Sequence, residues 1–132
     1  KRIRELSSRR VILRTPQLDR DFDMDYINRA VALGNVEVQR GTKENLNPTI
    51  DGALFTVSYS SGFGIESVIR GIPAVVCDPG SFALPMSTPF EEAFTHPRTP
   101  DRQQWLNDLS YAQWSIKEIN DGTAWKHLRE VL

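Results

Sequence analysis

The stretch "SYSSGFGIESVIRGIPAVVCD" (Ser58–Asp78) decides how this chain is expected to fold. It leaves an apolar strand through two serines and two glycines, continues as a helix, and enters a second apolar strand. The predicted helix, Phe63–Arg70, carries Ile65 and Val68 on one apolar stripe, and Gly71 ends it. A strand, a helix and a strand in this order predict a crossover between two parallel strands.

The same alternation of strands and helices extends toward the start of the chain. A polar connection is expected between the second and third strands, over Gly41–Pro48. Single helices between strands that are apolar on both faces favour a parallel sheet, and we expect half of a doubly wound α/β fold. The predicted elements are a strand at Val11–Pro16, a helix at Met24–Gly34, and strands at Val36–Arg40, around Ala53–Ser58 and at Ile72–Asp78.

The chain changes character after Asp78, first to a proline-rich loop and then to a helical C-terminal segment. A helix is predicted over Asp101–Ala112, and "SIKE" (Ser115–Glu118) is a capping box that starts another. Thr123 is expected to cap the last helix. We predict that the three tryptophans pack in the core. These tryptophans are Trp105, Trp114 and Trp125. We expect one domain over 1–132, with an α/β core over about 1–95 and helices over 100–132.

The composition limits the classes of protein to which this chain can belong. The chain has 132 residues, a formal net charge of −1, one cysteine and two histidines. A single cysteine forbids an internal disulfide and favours a reducing compartment, so we expect a cytoplasmic protein. The histidines are too few and too far apart for a histidine metal site, and no cofactor is expected. No apolar run reaches the roughly 18 residues of a membrane span. The chain lacks an initiator methionine, and we expect it to be part of a longer, two-domain protein.

Three predicted strands end in polar or conformationally special residues, which should meet at one edge of a parallel sheet. These ends are Arg14-Thr15, Ser58–Gly62 and Asp78–Ser81. The middle one offers hydroxyls and bare backbone N–H groups at a helix start, where an anion is favoured by about 0.3–1 kcal/mol, from Ser60, Ser61, Gly62 and Gly64. A close-packed glycine corner is the alternative interpretation.

Glu66 follows about one turn into the same helix. Its carboxylate suits the hydroxyls of a ribose, as acidic residues do in nucleotide-binding folds; an exposed surface glutamate is the other interpretation. Neither a P-loop lysine motif nor a G-x-G-x-x-G spacing is present, so the sequence supports neither an ATPase nor a dehydrogenase.

The run "FTVSYSSGFGIESVIRGIPAVV" resembles the nucleotide-sugar-binding half of GT-B glycosyltransferases. The resemblance is to the capsule- and Kdo-transferase-like group and the related UDP-N-acetylglucosamine 2-epimerases, and it covers Val11 to Asp78. "VILRTP" is similar to the family strand that ends in Arg-Pro-His-Pro, and "VEVQRG" to the strand after it. Thr15 and Pro16 depart from this pattern, so the histidine of the family has no counterpart.

The resemblance implies a Rossmann-like donor domain that binds a UDP- or CMP-sugar. It implies that Ser60, Ser61 and Gly62 hold the phosphate, that Arg14 lies at the phosphate edge, and that Glu66 binds the ribose. The loop from Asp78 to Ser81 would flank the sugar or the base. No catalytic residue is assigned.

The sequence does not identify the acceptor, and a polysaccharide, a lipid and modified DNA are the candidates. The net charge does not support a nucleic-acid acceptor. An epimerase fragment and a non-catalytic α/β interaction domain are the alternative functions.

Overall fold

The computed structural model describes residues 1–15, 24–111 and 113–131. The chain forms two compact units, Lys1–Thr99 and Pro100–Leu132. The first unit is mixed α/β and the second is helical. The mixed α/β class with parallel strands is therefore confirmed. The prediction of one domain over 1–132 stays a prediction. Pro16 and Ala112, which the sequence placed at the ends of elements, lie outside the described residues.

The first parallel pair joins β1, Val11–Thr15, to β2, Val36–Arg40, with Val11 opposite Val36 and Thr15 opposite Arg40. Both strands were predicted, and the helix between them, α2, runs over Met24–Val31. Gly34 has a φ of 79°, a left-handed conformation that favours glycine after a helix end. A short helix before β1, α1, covers Arg2–Leu6.

The second parallel pair joins β3, Thr56–Ser58, to β4, Ala74–Val76. The connecting helix, α4, runs over Gly62–Ile69. β4 is buried along its whole length, and Val68 of α4 and Ile50 are buried in the same unit. The described strands thus form two separate two-stranded sheets, whereas the sequence predicted one continuous sheet.

The predicted polar connection at Gly41–Pro48 was wrong, because a helix, α3, occupies Lys43–Asp51. The Thr42 hydroxyl accepts from the backbone N–H of Asn45, and the Asn45 side chain accepts from the backbone N–H of Thr42. This is a capping box with asparagine in the place of the usual glutamate or glutamine. The helix also shortens the third strand at its start, because the backbone N–H of Ala53 donates to Ile50.

The proline-rich segment after β4 forms two short 3₁₀ turns, at Leu84–Met86 and Glu92–Phe94. The Phe94 ring contacts the rings of Phe55 and Phe90 edge-on, with centroids 5.0 and 5.4 Å apart. The backbone N–H of Thr88 donates to the carbonyl of Ala74, which attaches this segment to β4.

The helical unit contains α5 (Gln103–Tyr111), α6 (Ile116–Asn120) and α7 (Thr123–Val131). The capping box predicted at Ser115 and Glu118 is confirmed. Thr123 is the first residue of α7 and not its cap; the Asp121 carboxylate accepts from its backbone N–H at 3.0 Å.

The prediction that all three tryptophans pack in the core was wrong for Trp125, which is 64% exposed. Trp105 and Trp114 are half-buried. The Trp114 ring contacts His127, which is also hydrogen-bonded to Tyr111, so α5 and α7 meet through this side-chain cluster.

Candidate functional site

The exits of β3 and β4 are joined by hydrogen bonds beyond the ends of the two strands. The backbone N–H of Cys77 donates to Ser58 at 2.9 Å, and that of Asp78 donates to Tyr59 at 3.2 Å. The Ser60 hydroxyl also donates to the Asp78 carboxylate. Parallel pairing therefore brings two of the three predicted strand ends together at one edge.

Ser61 and the two glycines after it start α4 in different ways. Ser61 is the N-cap, and its hydroxyl oxygen accepts from the backbone N–H of Phe63 at 3.2 Å. The backbone N–H of Gly64 donates to the Ser61 carbonyl at 3.0 Å. Among the described residues, the backbone N–H of Gly62 has no such partner, and the hydroxyl hydrogen of Ser61 is not used by the cap.

The glycine-corner interpretation applies to Gly64. A β-carbon at Gly64 would lie 2.9 Å from the Ser58 Oγ and 3.4 Å from the Val76 Cγ2, so the helix crosses both strands too closely for a side chain. At Gly62, no atom of the described residues lies within 4 Å of the β-carbon position, and φ is not positive. Packing therefore explains Gly64 and leaves Gly62 open to a ligand.

Glu66 is exposed, and its carboxylate forms no hydrogen bond or ion pair with the part of the chain that the structure describes. It lies four residues after Gly62, so both residues share one side of α4, about 6 Å apart along the axis. The opposite side of the helix is buried through Ser67 and Val68. Glu66 is thus free to accept hydrogen bonds from a ligand at the helix start.

Arg14 reaches α4 from the end of β1. Its guanidinium carbon lies 5.7 Å from the centre of the Phe63 ring, within the range of a cation–π contact. This contact connects the end of β1, which is the remaining predicted strand end, to the start of α4, which follows β3. Phe63 was assigned to the helix from the sequence but not to the site, and no local pattern would have shown this contact.

The guanidinium of Arg14 is held by neutral acceptors. Nη1 donates to the Gln39 side chain at 2.9 Å, to the Asn45 carbonyl at 3.1 Å and to the Thr49 hydroxyl at 3.2 Å. Nη2 donates to the Thr42 carbonyl at 3.3 Å. No ion pair joins Arg14 to an acidic side chain among the described residues. Its charge is therefore available to a nearby anion, although most of its planar donor fork is occupied.

The turn after β4 is stabilised by its own polar groups. The Asp78 carboxylate accepts from the backbone N–H of Gly80 at 3.0 Å, and the backbone N–H of Ser81 donates to the Asp78 carbonyl at 3.1 Å. Hydrogen bonds from the Ser60 hydroxyl and from Gly80 hold the pKa of Asp78 below its ordinary value. The Ser81 hydroxyl accepts from the backbone N–H of Ala83. This turn therefore fixes the loop at the start of α4.

A groove of about 380 Å³ runs beside β4, between the strand and the segment that follows it. The polar groups of this groove bind one another. The Ser87 hydroxyl accepts from the backbone N–H of Val76, the Thr88 hydroxyl accepts from that of Arg98, and the Arg98 guanidinium pairs with Glu92. The groove therefore adds apolar surface next to Cys77 but no free polar group.

Ser58 lies within the predicted strand end Ser58–Gly62, but no role was predicted for its side chain. Its Oγ is buried and has no hydrogen-bond partner within the described residues. Its position at the end of a strand, before "YSSG", was the available signal.

No described helix has the length and apolar character that crossing a membrane requires. Across residues 1–15, 24–111 and 113–131, no cluster of three or more histidine, cysteine, aspartate or glutamate residues has a geometry that would hold a metal ion. Searches with protein-family models, against curated proteins and against solved structures each found no match to the chain.

Proposed function

We propose that this chain binds a nucleotide-activated sugar, a UDP- or CMP-sugar, as the donor domain of a GT-B-type glycosyltransferase. The observation that carries the proposal is the uncrowded helix start at Gly62, which follows directly from the carboxyl end of β3 and lies beside the exit of β4. Ligands of parallel α/β folds bind at this edge, in contact with helix starts.

The two strand pairs fit the middle of a doubly wound sheet in the order β2-β1-β3-β4. In that order the chain reverses direction between β1 and β3, and the ligand-binding crevice opens at this reversal. The contact between Arg14, at the end of β1, and Phe63, just after β3, supports this arrangement. The Rossmann-like fold is part of the proposal.

The phosphate of the donor would lie against Gly62. The free backbone N–H of Gly62 and the hydroxyl hydrogen of Ser61 are the two donors that the helix start leaves for a phosphate oxygen. Arg14 contributes its charge from the β1 side, and its Nη atoms keep their bonds to α3. Ser60 contributes through the shape of the loop, since its hydroxyl donates to Asp78.

Glu66 would accept hydrogen bonds from the ribose hydroxyls. It is exposed and shares one side of α4 with Gly62. A phosphate at Gly62 and a ribose at Glu66 place the ligand along the first turn of the helix.

During transfer, the bond between the sugar carbon and the phosphate oxygen breaks, and the electron pair stays on that oxygen. Positive charge that is already oriented stabilises the developing negative charge. Arg14 and the start of α4 would supply it. The hydroxyl of the acceptor would form the new bond to the sugar carbon, and the other half of a GT-B-type enzyme would bind the acceptor and supply the base that removes its proton.

Calorimetric titration of the chain with UDP- and CMP-sugars tests the proposal. We expect saturable binding by the wild type and a loss of about tenfold in Gly62→Ala, because the added methyl group occupies the open space at the helix start. Glu66→Ala should also weaken binding.

Gly62→Ala is informative because no atom in the described part of the chain lies within 4 Å of a β-carbon at that position. Its thermal unfolding should match that of the wild type. The absence of saturable binding by the wild type would contradict the proposal and favour an interaction domain, as would full affinity in both variants.

A further inference from the structure

The Asp78 carboxylate occupies a fixed position beside the proposed phosphate loop. The backbone N–H of Gly80 donates to it at 3.0 Å, and the Ser60 hydroxyl donates to it from the loop itself. The backbone of Asp78 is attached to Tyr59 by a hydrogen bond of 3.2 Å. These contacts fix both the main chain and the side chain of Asp78 against the loop.

Asp78 is also a charge without a counter-ion. No lysine, arginine or histidine forms an ion pair with it in the described parts of the chain, and Arg14 is held by acceptors on β2 and α3. The two hydrogen bonds that it accepts favour the ionised carboxylate. Within the described residues, the loop therefore has a cation without an ion pair near its β1 side and an anion without an ion pair on its β4 side.

Asp78 is close enough to a ligand at Gly62 for this charge to matter. Its backbone N–H is bonded at 3.2 Å to the carbonyl of Tyr59, which lies three residues before Gly62 on the loop that leads into α4. At a separation of about 6 Å in a water-exposed site, one additional negative charge on the ligand changes its affinity by about threefold.

We propose that Asp78 determines the charge of the ligand at this site, favouring a phosphodiester, with one negative charge on the phosphate, over a terminal phosphate. A terminal phosphate carries two charges above its second pKa of about 6. The inference rests on the proposed function, because it concerns the same phosphate position. A nucleotide sugar has only diester-type phosphates, whereas the nucleotide released after transfer ends in a terminal phosphate. Asp78 would therefore favour release of the product.

The test compares ligands that differ by one charge. Uridine and cytidine 5′-monophosphate and their phosphate methyl esters are titrated against the wild type and Asp78→Asn at low salt and about pH 8, where the monoesters are dianions. We expect the ratio of ester affinity to monophosphate affinity to be about threefold higher in the wild type than in the variant. Comparing this ratio between proteins cancels any effect of the methyl group itself.

Asp78→Asn keeps an oxygen that can accept from Ser60 and Gly80, so the loop keeps its contacts. Glu37→Gln is the matched control. It removes the carboxylate of a β2 residue that forms an exposed ion pair with Arg10, and it should keep the wild-type ratio. The difference between the ratios of the wild type and Asp78→Asn should shrink as salt rises to about 1 M, where the screening length is about 3 Å.

Each result separates the two proposals. An identical ratio in the wild type and Asp78→Asn, or a difference between their ratios that salt does not change, overturns the role of Asp78 and leaves nucleotide binding in place. The absence of saturable binding of all four ligands and of the nucleotide sugars to the wild type overturns both.

Discussion

Gly62 and Gly64 stand two residues apart at the start of α4, yet a side chain would meet different surroundings at each. The β-carbon position of Gly64 is crowded by the Ser58 Oγ, whereas that of Gly62 has no atom within 4 Å. The sequence alone could not separate a packing corner from a ligand site, because both favour glycine at a strand-to-helix turn. The close approach of α4 to β3 assigns packing to Gly64.

Substitution of Gly64 tests this assignment at the residue scale. We expect Gly64→Ala to lower the free energy of unfolding by about 1–3 kcal/mol, because the new methyl group overlaps the Ser58 hydroxyl. In the double variant with Ser58→Ala, most of this loss should be recovered, since the crowding oxygen is gone. Ser58→Ala alone should be nearly neutral, because that hydroxyl has no hydrogen-bond partner. Urea unfolding measures all three values.

Gly62→Ala is the control for the same substitution on the same helix, and its unfolding should stay within about 0.5 kcal/mol of the wild type. Equal losses at the two glycines would show that the contact with Ser58 is not responsible, because alanine has the higher helix propensity and the loss at Gly62 has no such contact. The absence of recovery in the double variant would lead to the same conclusion.

The sequence identified Arg14 as a site residue but could not predict its hydrogen-bond partners. The position of Arg14 at the end of β1 was predictable from the apolar run before it. Its partners Gln39, Asn45 and Thr49 are 25 to 35 residues away in the chain. Gly41 is part of the same arrangement, because a β-carbon there would lie 2.9 Å from the Thr15 carbonyl and 3.2 Å from the Arg14 Nη2. Such long-range contacts leave no local pattern.

At the scale of elements, a chain of buried hydroxyls attaches α4 to β3. The Thr56 hydroxyl donates to the Ser67 Oγ at 2.9 Å, and the Ser67 hydroxyl donates to the Phe63 carbonyl at 2.7 Å. Both side chains are buried. This pairing holds the helix in one register over the strand, and so it positions the open turn at Gly62.

Removing one member of the pair should cost more than removing both. We expect Ser67→Ala to destabilise the fold by about 1–3 kcal/mol, because the buried Thr56 hydroxyl loses its acceptor. Adding Thr56→Val to Ser67→Ala should recover part of that loss, since no donor is then left unsatisfied. The measurement is a double-mutant cycle of urea unfolding. Additive losses in the cycle would mean that the two hydroxyls act independently.

The helix α3 is an element that sequence patterns misjudged. Pro48 and three residues of the types common in turns, Gly41, Asn45 and Asn47, predicted a connection. The capping box between Thr42 and Asn45 starts a helix instead. By contrast, β1, β2 and α4 were predictable almost to the residue, because each has an apolar period and a clear glycine or polar boundary.

At the scale of the whole molecule, several carboxylates are stabilised in their ionised form by hydrogen bonds. The side-chain hydroxyl and backbone N–H of Ser115 hold the pKa of Glu118 below its ordinary value, and Thr123 lowers the pKa of Asp121 in the same way. In the first unit, the pKa values of Glu44 and Asp78 are also lowered by hydrogen bonds. Both compact units therefore contain acid-sensitive contacts.

Because these pKa values are lower in the folded state, the carboxylates stabilise it above their unfolded values of about 3.9–4.3. This stabilisation is lost as the pH falls through the folded values. We expect the thermal midpoint to fall between about pH 5 and pH 2, and to fall less in Glu118→Gln. Glu130→Gln, which changes an exposed carboxylate on α7, should follow the wild type. A Glu118→Gln curve that coincides with the wild type would contradict this account of the cap.

Cys77 follows β4 directly, and it is the single cysteine of the chain. Its thiol is exposed, while its backbone N–H is fixed to Ser58 at the edge where the strand ends meet. The unaltered chain therefore carries one attachment point for a fluorophore or a spin label, three residues before Gly80 of the Asp78 turn and without competing thiols. The signal of a probe attached there would change when a ligand binds at that edge. Occupancy of the site could then be followed in real time without an engineered residue.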